Sequence, residues 1–424
     1  MIPTRFSALR PSAQQLYRML GLLPAPEFDA PVAHAAVGGP LTAGGALDAL
    51  TDAGHLIELA PAPGASTLRY RMPGPSHAHA YQLARNATGR HQDELTDAHT
   101  RICRSYLLSA SAAVELLEPR RETSSSWAPA DVPRTPHVNF LDGKSAWGWL
   151  HSEHSTLTGL IHHQDTPGTV VWQLVDVLGP YWRITGSTGT STAAHHRGLH
   201  CARAARDQYG TSRMLTATAL TELAERPRRA LSLLGQASDL YGELGDRAGV
   251  VRAAYGTALA HAALGETDIA LPVWWRTVAE AHNVDDPITA NHALLKIAGH
   301  HLGEGDHLRA AALAAVAIEG FAAIQALYCQ VEGEVLLGRC AIAAGDFALA
   351  VNCLESAADT YSRGSALRPM GAALMYLGDA HRAAGSNDMA RDCYRQSRDA
   401  AQDRGDEAAI KQATAAIDEL DRVP

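Results

Sequence analysis

The sequence predicts a mainly all-α fold, most of which is a solenoid of 40-residue helical repeats. Four glycines recur at intervals of 40 residues: Gly265, Gly305, Gly345 and Gly385. Alanine is abundant among the 424 residues and aromatic residues make up only 6 %, a composition that suits closely packed helices better than a β-sandwich. The apolar fraction of 46 % is ordinary for a globular chain, so a sizeable core is expected.

The residues around these glycines repeat with the same period. An alanine follows each glycine by five positions, and the series extends one repeat further back: Ala230, Ala270, Ala310, Ala350 and Ala390. The position four residues after the alanine is bulky in most repeats, and the position seven residues after it is small in all of them. Such alternation of small and large residues lets neighbouring helices pack closely at a fixed crossing. A glycine between two helices favours a left-handed cap.

This pattern resembles the tetratricopeptide repeat (TPR) in its longer, 40-residue form. The resemblance implies a right-handed α-solenoid over 211–424, with the polar helix at 407–420 as its C-terminal cap. Residues 146–210 are predicted to be degenerate helical repeats. The Pro- and Ser-rich segment 119–145 is predicted to be a linker.

The first 118 residues follow a different pattern. Three short helices are predicted and then two short strands, over 12–23, 29–37, 41–53, 55–59 and 68–72. Three helices followed by a β-hairpin describe a small winged helix. A long helix is predicted over 77–117, and together these elements form the domain 1–118.

The order of these parts resembles the C-terminal half of actinobacterial STAND-type regulators, which carry an NB-ARC ATPase. The phrases SAQQLYRMLGLLPAPEFDAPVAHAAVG, LDALTDAGHLIEL and LRYRM resemble the winged helix that closes that ATPase. The phrase SAWGWLHSEHSTLTGLI resembles the segment that opens the TPR array of the family. The resemblance covers most of the chain.

Two departures from the family remove the expected ATP chemistry. The only GKS motif is Gly143-Lys144-Ser145, and the earlier glycine of a phosphate loop is replaced by Val138. The family also ends its hairpin in a Met-His-Asp motif, whose histidine senses the nucleotide, but here Pro73 follows Met72. We therefore expect no ATPase core, no ATP binding and no other resident cofactor.

The helix at 41–53 occupies the position of a DNA-recognition helix. It contains no Arg or Lys and carries Asp48 and Asp52. Because phosphates and base edges are contacted mainly by basic and amide side chains, DNA binding through the winged helix is not expected. The net charge of −9 points the same way.

The inner helices of a TPR array line a concave groove in the family. By repeat phase, the groove-facing positions are polar or aromatic: Arg252, Tyr255, His292, Glu332, Arg339, Asp379 and Arg382. A mixed-charge groove with an aromatic residue suits a peptide segment or a small polar effector. The alternative is a solvated face with intrahelical ion pairs that contribute little.

Histidines are frequent, with 21 in the chain. His261, His301 and His381 share the repeat phase, so inter-helix packing explains them. His196 and His200 are four residues apart on a predicted helix, a spacing that places two imidazoles on one metal ion, with His162 or His163 as a third ligand. A zinc or iron site is therefore one interpretation of this cluster, and solvated or capping histidines are the other.

The function predicted from these observations is a non-catalytic adaptor or regulator that binds a protein segment or a small effector in the groove. Two alternatives stay open: an enzyme or metal-dependent protein of a specialised-metabolite pathway on a repurposed regulator scaffold, and a transcriptional regulator. No secretory segment begins the sequence. The apolar run 310–329 contains Glu319, so no membrane span is expected. Six scattered cysteines suit a reduced, cytoplasmic protein.

Overall fold

A computed structural model provides the fold. It describes residues 2–38, 43–61, 67–118, 135–186, 188–363, 367–403 and 406–422. The chain divides into two compact units. The first unit comprises Met1–Leu116, Glu122–Gly179 and Ala193–Gly210; the second comprises Leu117–Arg121, Pro180–Thr192 and Thr211–Pro424.

The first unit begins with short helices around a small antiparallel sheet. The helices are α1 (Ile2–Ser7), α2 (Pro11–Leu20), α3 (Ala30–Val37) and α4 (Gly44–Asp52). The strands are β1 (Glu27–Asp29), β2 (Ile57–Leu59) and β3 (Arg69–Arg71), in the order β1-β3-β2. In this register Tyr70 lies opposite Phe28 on one side and opposite Glu58 on the other.

Strand β1 is absent from the sequence prediction, which begins a helix at residue 29. Helix α3 begins one residue later, at Ala30, because Asp29 is extended and pairs with β3. The strand has only three residues, so it shows no periodicity, and it forms because β3 supplies its hydrogen-bond partners. The Met72 amide, for example, donates to the Pro26 carbonyl over 2.9 Å.

The predicted single long helix over 77–117 is wrong, because two helices occupy this region. Helix α5 (Gly74–Arg85) ends before Asn86, and α6 (Arg90–Leu117) begins after Gly89. Gly89 has a φ of +58°. Only glycine adopts that angle without strain, so the chain turns there.

Four more helices follow: α7 (Gly143–His162), α8 (Gly168–Thr185), α9 (Thr188–Ala204) and α10 (Gln208–Glu222). The GKS motif forms the first turn of α7. The Asp142 carboxylate accepts a hydrogen bond from the Ser145 amide at 2.8 Å, and the Ser145 hydroxyl completes a capping box. A carboxylate therefore occupies the amide end at which a phosphate would bind.

Buried charges connect the sheet of the first unit to α7. Arg69 Nη2 donates to Glu153 Oε1 over 2.6 Å, and Arg69 Nη1 lies 3.7 Å from Asp29 Oδ1. The Trp149 indole donates to Asp29 Oδ2 over 2.7 Å. Two buried carboxylates thus share one guanidinium. Burial raises the pKa of Glu153 to about 7, against the opposing effect of Arg69.

The second unit is an all-α, TPR-like solenoid with a regular helix period. From residue 247 to residue 407 a new helix begins every 20 residues. The helices are α11 (Pro227–Leu244), α12 (Arg247–Ala263), α13 (Thr267–Asn283), α14 (Pro287–Gly303), α15 (His307–Ala323), α16 (Leu327–Ala344), α17 (Phe347–Arg363), α18 (Leu367–Ala383), α19 (Asn387–Gln402) and α20 (Glu407–Arg422). The glycines of the repeat follow the first helix of each pair, as Gly345 does in a left-handed conformation after α16.

The small and large positions of the repeat meet at the contacts between paired helices. Ala270, Ala310, Ala350 and Ala390 are fully buried. A Cβ atom built on Gly378 would lie 2.4 Å from Cε1 of Tyr394, and one built on Gly338 would lie 2.7 Å from Cγ of Leu354. The absence of a side chain on the first helix therefore makes room for the bulky residue on the second.

The first helices of successive pairs also contact one another, α12 with α14, α14 with α16 and α16 with α18. This close approach identifies them as the inner layer of the curved array, with α13, α15, α17 and α19 outside. We call the solvent-facing side of α12, α14, α16 and α18 the inner face. Among the described residues, no helix is both long and apolar enough to cross a bilayer.

Replacing Gly378 with alanine should destabilise the second unit. The new methyl group would clash with the Tyr394 ring, which is fully buried and donates a hydrogen bond to Asp379 over 2.7 Å. We expect a loss of about 1–3 kcal/mol, measured by urea unfolding followed by circular dichroism. Gly299→Ala is the matched control, because that helical position has open space around it and alanine favours the helix. Equal stability of Gly378→Ala and wild type would contradict the contact.

The Glu153 carboxyl should make stability depend on pH. Its pKa rises from 4.5 to about 7 on folding, so the folded state binds the extra proton between these values. Its contribution, about 3 kcal/mol, is therefore present below pH 4.5 and is lost as the pH rises to about 7. Glu153→Gln cannot titrate, and its stability should fall less steeply than that of wild type over this range. Parallel profiles in urea unfolding would refute the assignment.

Candidate ligand-binding groove

All seven predicted groove residues lie on first helices of the repeat pairs. Arg252 and Tyr255 lie on α12, His292 on α14, Glu332 and Arg339 on α16, and Asp379 and Arg382 on α18. Arg252, His292 and Glu332 are 40 residues apart, so they occupy one phase on successive helices. Arg339 follows Glu332 by seven residues and lies two turns further along the same side of α16.

Three of these residues meet at the centre of the inner face. The rings of Tyr255 and His292 have centroids 6.5 Å apart, and His292 Nε2 lies 3.7 Å from Glu332 Oε2. His292 Nδ1 lies 2.9 Å from the Ile288 carbonyl oxygen, to which it must donate. Burial lowers the pKa of His292, although Glu332 opposes the shift, so the neutral ring presents Nε2 as an acceptor.

Arg183, which sequence reasoning missed, also lies at this centre. Its guanidinium donates to both Glu332 and Glu118. Burial lowers the pKa of Arg183, but the Glu332 and Glu118 carboxylates raise it well above its usual value, so the guanidinium stays charged. Arg183 is the only basic residue of α8, a helix rich in Val, Leu and Trp. A lone cation in an apolar helix was the signal available in the sequence, because such a charge requires a partner.

Aromatic rings surround these charges. Tyr328 stacks on Tyr361 with centroids 6.5 Å apart, and His292 contacts Phe321 edge-on at 5.1 Å. Burial raises the pKa of Tyr255 and of Cys329, and nearby Glu332 adds to both shifts. The phenol and the thiol therefore stay protonated at neutral pH, a state that suits binding rather than nucleophilic attack.

The remaining predicted residues lie away from this centre. Arg252 lies 3.4 Å from Asp246 and 3.6 Å from Asp286, the two aspartates that cap α12 and α14. The Arg339 guanidinium lies over the Tyr376 ring at 4.9 Å from its centroid and is otherwise exposed. Since Asp379 accepts from Tyr394, this end of the inner face contributes to packing.

Arg382 also contributes to packing. Its Nη1 donates to Glu419 on α20 over 3.1 Å and its Nη2 lies 3.6 Å from Asp379. Arg382 therefore connects α18 to the last helix of the array, and a charge reversal there would disturb the cap as well as the inner face.

The four histidines proposed as metal ligands lie on or next to α7 and α9 of the first unit. The His163 ring contacts His99, with centroids 5.0 Å apart. His196 is half-buried and His200 is exposed. Within the described parts of the chain, no three His, Cys, Asp or Glu side chains form a group that could bind a metal ion. The site at His162, His163, His196 and His200 thus gains no support from the geometry and stays a prediction.

No protein-family model matches the sequence, and no curated protein matches it. Among solved structures, the chain is similar to a Rap protein complexed with Competence and Sporulation Factor, at 11 % identity over 82 % of this chain and 92 % of that one, with a TM-score of 0.50. It also aligns with a STAND protein with a tetratricopeptide-repeat sensor from Pyrococcus horikoshii, at 12 % identity over 97 % and 64 % of the two chains (TM-score 0.44). A third match is the quorum sensor NprR from B. thuringiensis, at 8 % identity over 82 % and 92 % (TM-score 0.43). At such low identity the first similarity shows the fold alone, a TPR-like solenoid.

Proposed function

We propose that this protein is a non-catalytic adaptor or regulator that binds a protein segment in the groove of its inner face. The observation that carries the proposal is the meeting of Tyr255, His292 and Glu332 at one place on this face. A solvated face would also carry polar groups but would leave them exposed, whereas the His292 side chain is only 16 % exposed. Keeping a polar ring largely out of water costs desolvation energy, which hydrogen bonds to a ligand offset.

The shape of the inner face supports an extended ligand. The four first helices contact one another in succession, and the side lined by such helices in repeat arrays binds extended segments along its length. Glu332 and Arg339 are accessible to solvent on it. Their opposite charges suit a polar segment with charges of both signs.

The N-terminal domain, residues 1–118, is proposed to be a winged helix with its following helices that acts without nucleotide or DNA. Helix α4 carries Asp48 and Asp52 and no basic residue, so the demand of DNA for positive charge is not met. The amide end of α7 accommodates the Asp142 carboxylate instead of a phosphate. All six cysteines are free thiols and five are buried, which fits the proposed location in the cytoplasm.

The groove can be tested with peptides selected from a random display library on the full chain. We expect Arg339→Glu to lower the affinity for the selected peptides by at least about tenfold, because the substitution reverses a charge at a contact. Arg309→Glu is the matched control, because Arg309 is exposed on the outer helix α15. Binding constants come from fluorescence anisotropy, and circular dichroism checks the fold of each variant.

Two results would count against the proposal. Selected peptides that bind Arg339→Glu as tightly as wild type would place their site elsewhere. A stronger effect of Arg309→Glu than of Arg339→Glu would assign recognition to the outer helices.

A further inference from the structure

Arg183 places a guanidinium at the centre of the proposed groove, between the Glu118 and Glu332 carboxylates. Arg183 does not belong to the repeats: it comes from the last turn of α8, before the regular array begins. The position that a bound segment would occupy therefore already contains a side chain of the same protein.

From this arrangement we infer that Glu118 and Glu332 form a recognition site for a guanidinium group. Arg183 fills the site in the free chain, and an arginine side chain of the bound segment takes its place. The inference rests on the proposed function and specifies its ligand. It adds that the groove is blocked by its own chain until a partner arrives.

The groups around the site accept hydrogen bonds. Glu118 is almost completely buried and Glu332 is partly open to solvent, so one carboxylate lies at the floor and the other at the rim. His292 Nε2 adds an acceptor next to Glu332, because its other ring nitrogen donates to Ile288. A planar cation with several donors satisfies such a set, and a guanidinium binds carboxylates through parallel N–H bonds.

Aromatic rings lie near the two carboxylates. Tyr255 contacts His292 from α12, and Tyr361 stacks on Tyr328. The charges of Arg183 and Glu332 act on the pKa of both the Tyr255 and the Tyr361 phenol, so both rings lie close to the site. Guanidinium groups stack on aromatic faces, so aromatic neighbours favour arginine over lysine.

A comparison with Arg69 indicates that Arg183 is replaceable. Both arginines bridge two carboxylates, but the Arg69 side chain is 6 % exposed and that of Arg183 is 36 % exposed. Arg183 also lies close to the end of its helix, three residues after Pro180, which removes a helical donor from this turn. Arg69 lies within a sheet strand, so only Arg183 can move aside without opening a core.

The test uses the full-length Arg183→Ala variant and Nα-acetyl-arginine amide as the probe, with affinity measured by calorimetry. We expect the variant to bind the probe at least about tenfold more tightly than wild type, because the internal competitor is gone. Adding Glu332→Gln should abolish this binding. Nα-acetyl-citrulline amide has the same shape without the charge and should not bind, and Arg309→Ala should behave like wild type.

A second variant covers the case in which Arg183→Ala fails to fold. Arg183→Lys keeps the positive charge but cannot bridge both carboxylates, so its affinity for the probe should lie above that of wild type. Free arginine has a charged α-amino and a charged α-carboxyl group where the probe and a bound segment have amides, and should bind more weakly than the probe. Tighter binding of free arginine would overturn the peptide as the source of the guanidinium.

The inference fails if a folded Arg183 variant binds the probe no better than wild type, or if the citrulline probe binds equally well. This outcome differs from failure of the proposed function. Peptides without arginine that bind wild type and respond to Arg339→Glu would keep the groove as a binding site and overturn only the guanidinium site.

Discussion

The structure of the second unit depends on small residues at the contacts between paired helices. Where Gly378 faces Tyr394 and Gly338 faces Leu354, no other side chain leaves room for the bulky partner. The equivalent positions of the two preceding repeats are Ala258 and Ala298, so a small residue recurs there along an array whose helices begin every 20 residues. Because each first helix has the same rotation, residues of one phase point in one direction. The inner face and its charges follow from that repetition.

Arg69 and Arg183 each join two carboxylates, but the two clusters have different surroundings. In the first unit, Arg69 joins Asp29 and Glu153 where water is excluded, and the cluster connects a strand to a helix. In the second unit, Arg183 joins Glu118 and Glu332 at a surface that water reaches. Removing one partner is costly in both cases, but only the open cluster lets an outside cation replace the arginine. We therefore assign structure to the first and recognition to the second.

The repeat period was sufficient to predict the all-α, TPR-like solenoid. The period could not predict elements and contacts that are formed by residues far apart in the sequence. Strand β1 forms because β3 pairs with it, and the break at Gly89 interrupts a pattern that otherwise continues. Arg183 and Glu118 lie outside the repeats. Arg183 precedes Glu332 by more than 140 residues of sequence, and Glu118 precedes it by more than 200. No local sequence pattern predicts that these three side chains contact one another.

The most direct measurement of the central claim follows the Arg183 side chain itself as a ligand binds. In protein labelled with ¹⁵N-arginine, the Nε–Hε signal of Arg183 is the one missing from Arg183→Lys. In the free chain this proton should exchange slowly with water, because the guanidinium bridges two carboxylates. On addition of a selected peptide that contains arginine, the signal should move and its proton should exchange rapidly. A signal that keeps its position and slow exchange in the saturated complex would contradict the account.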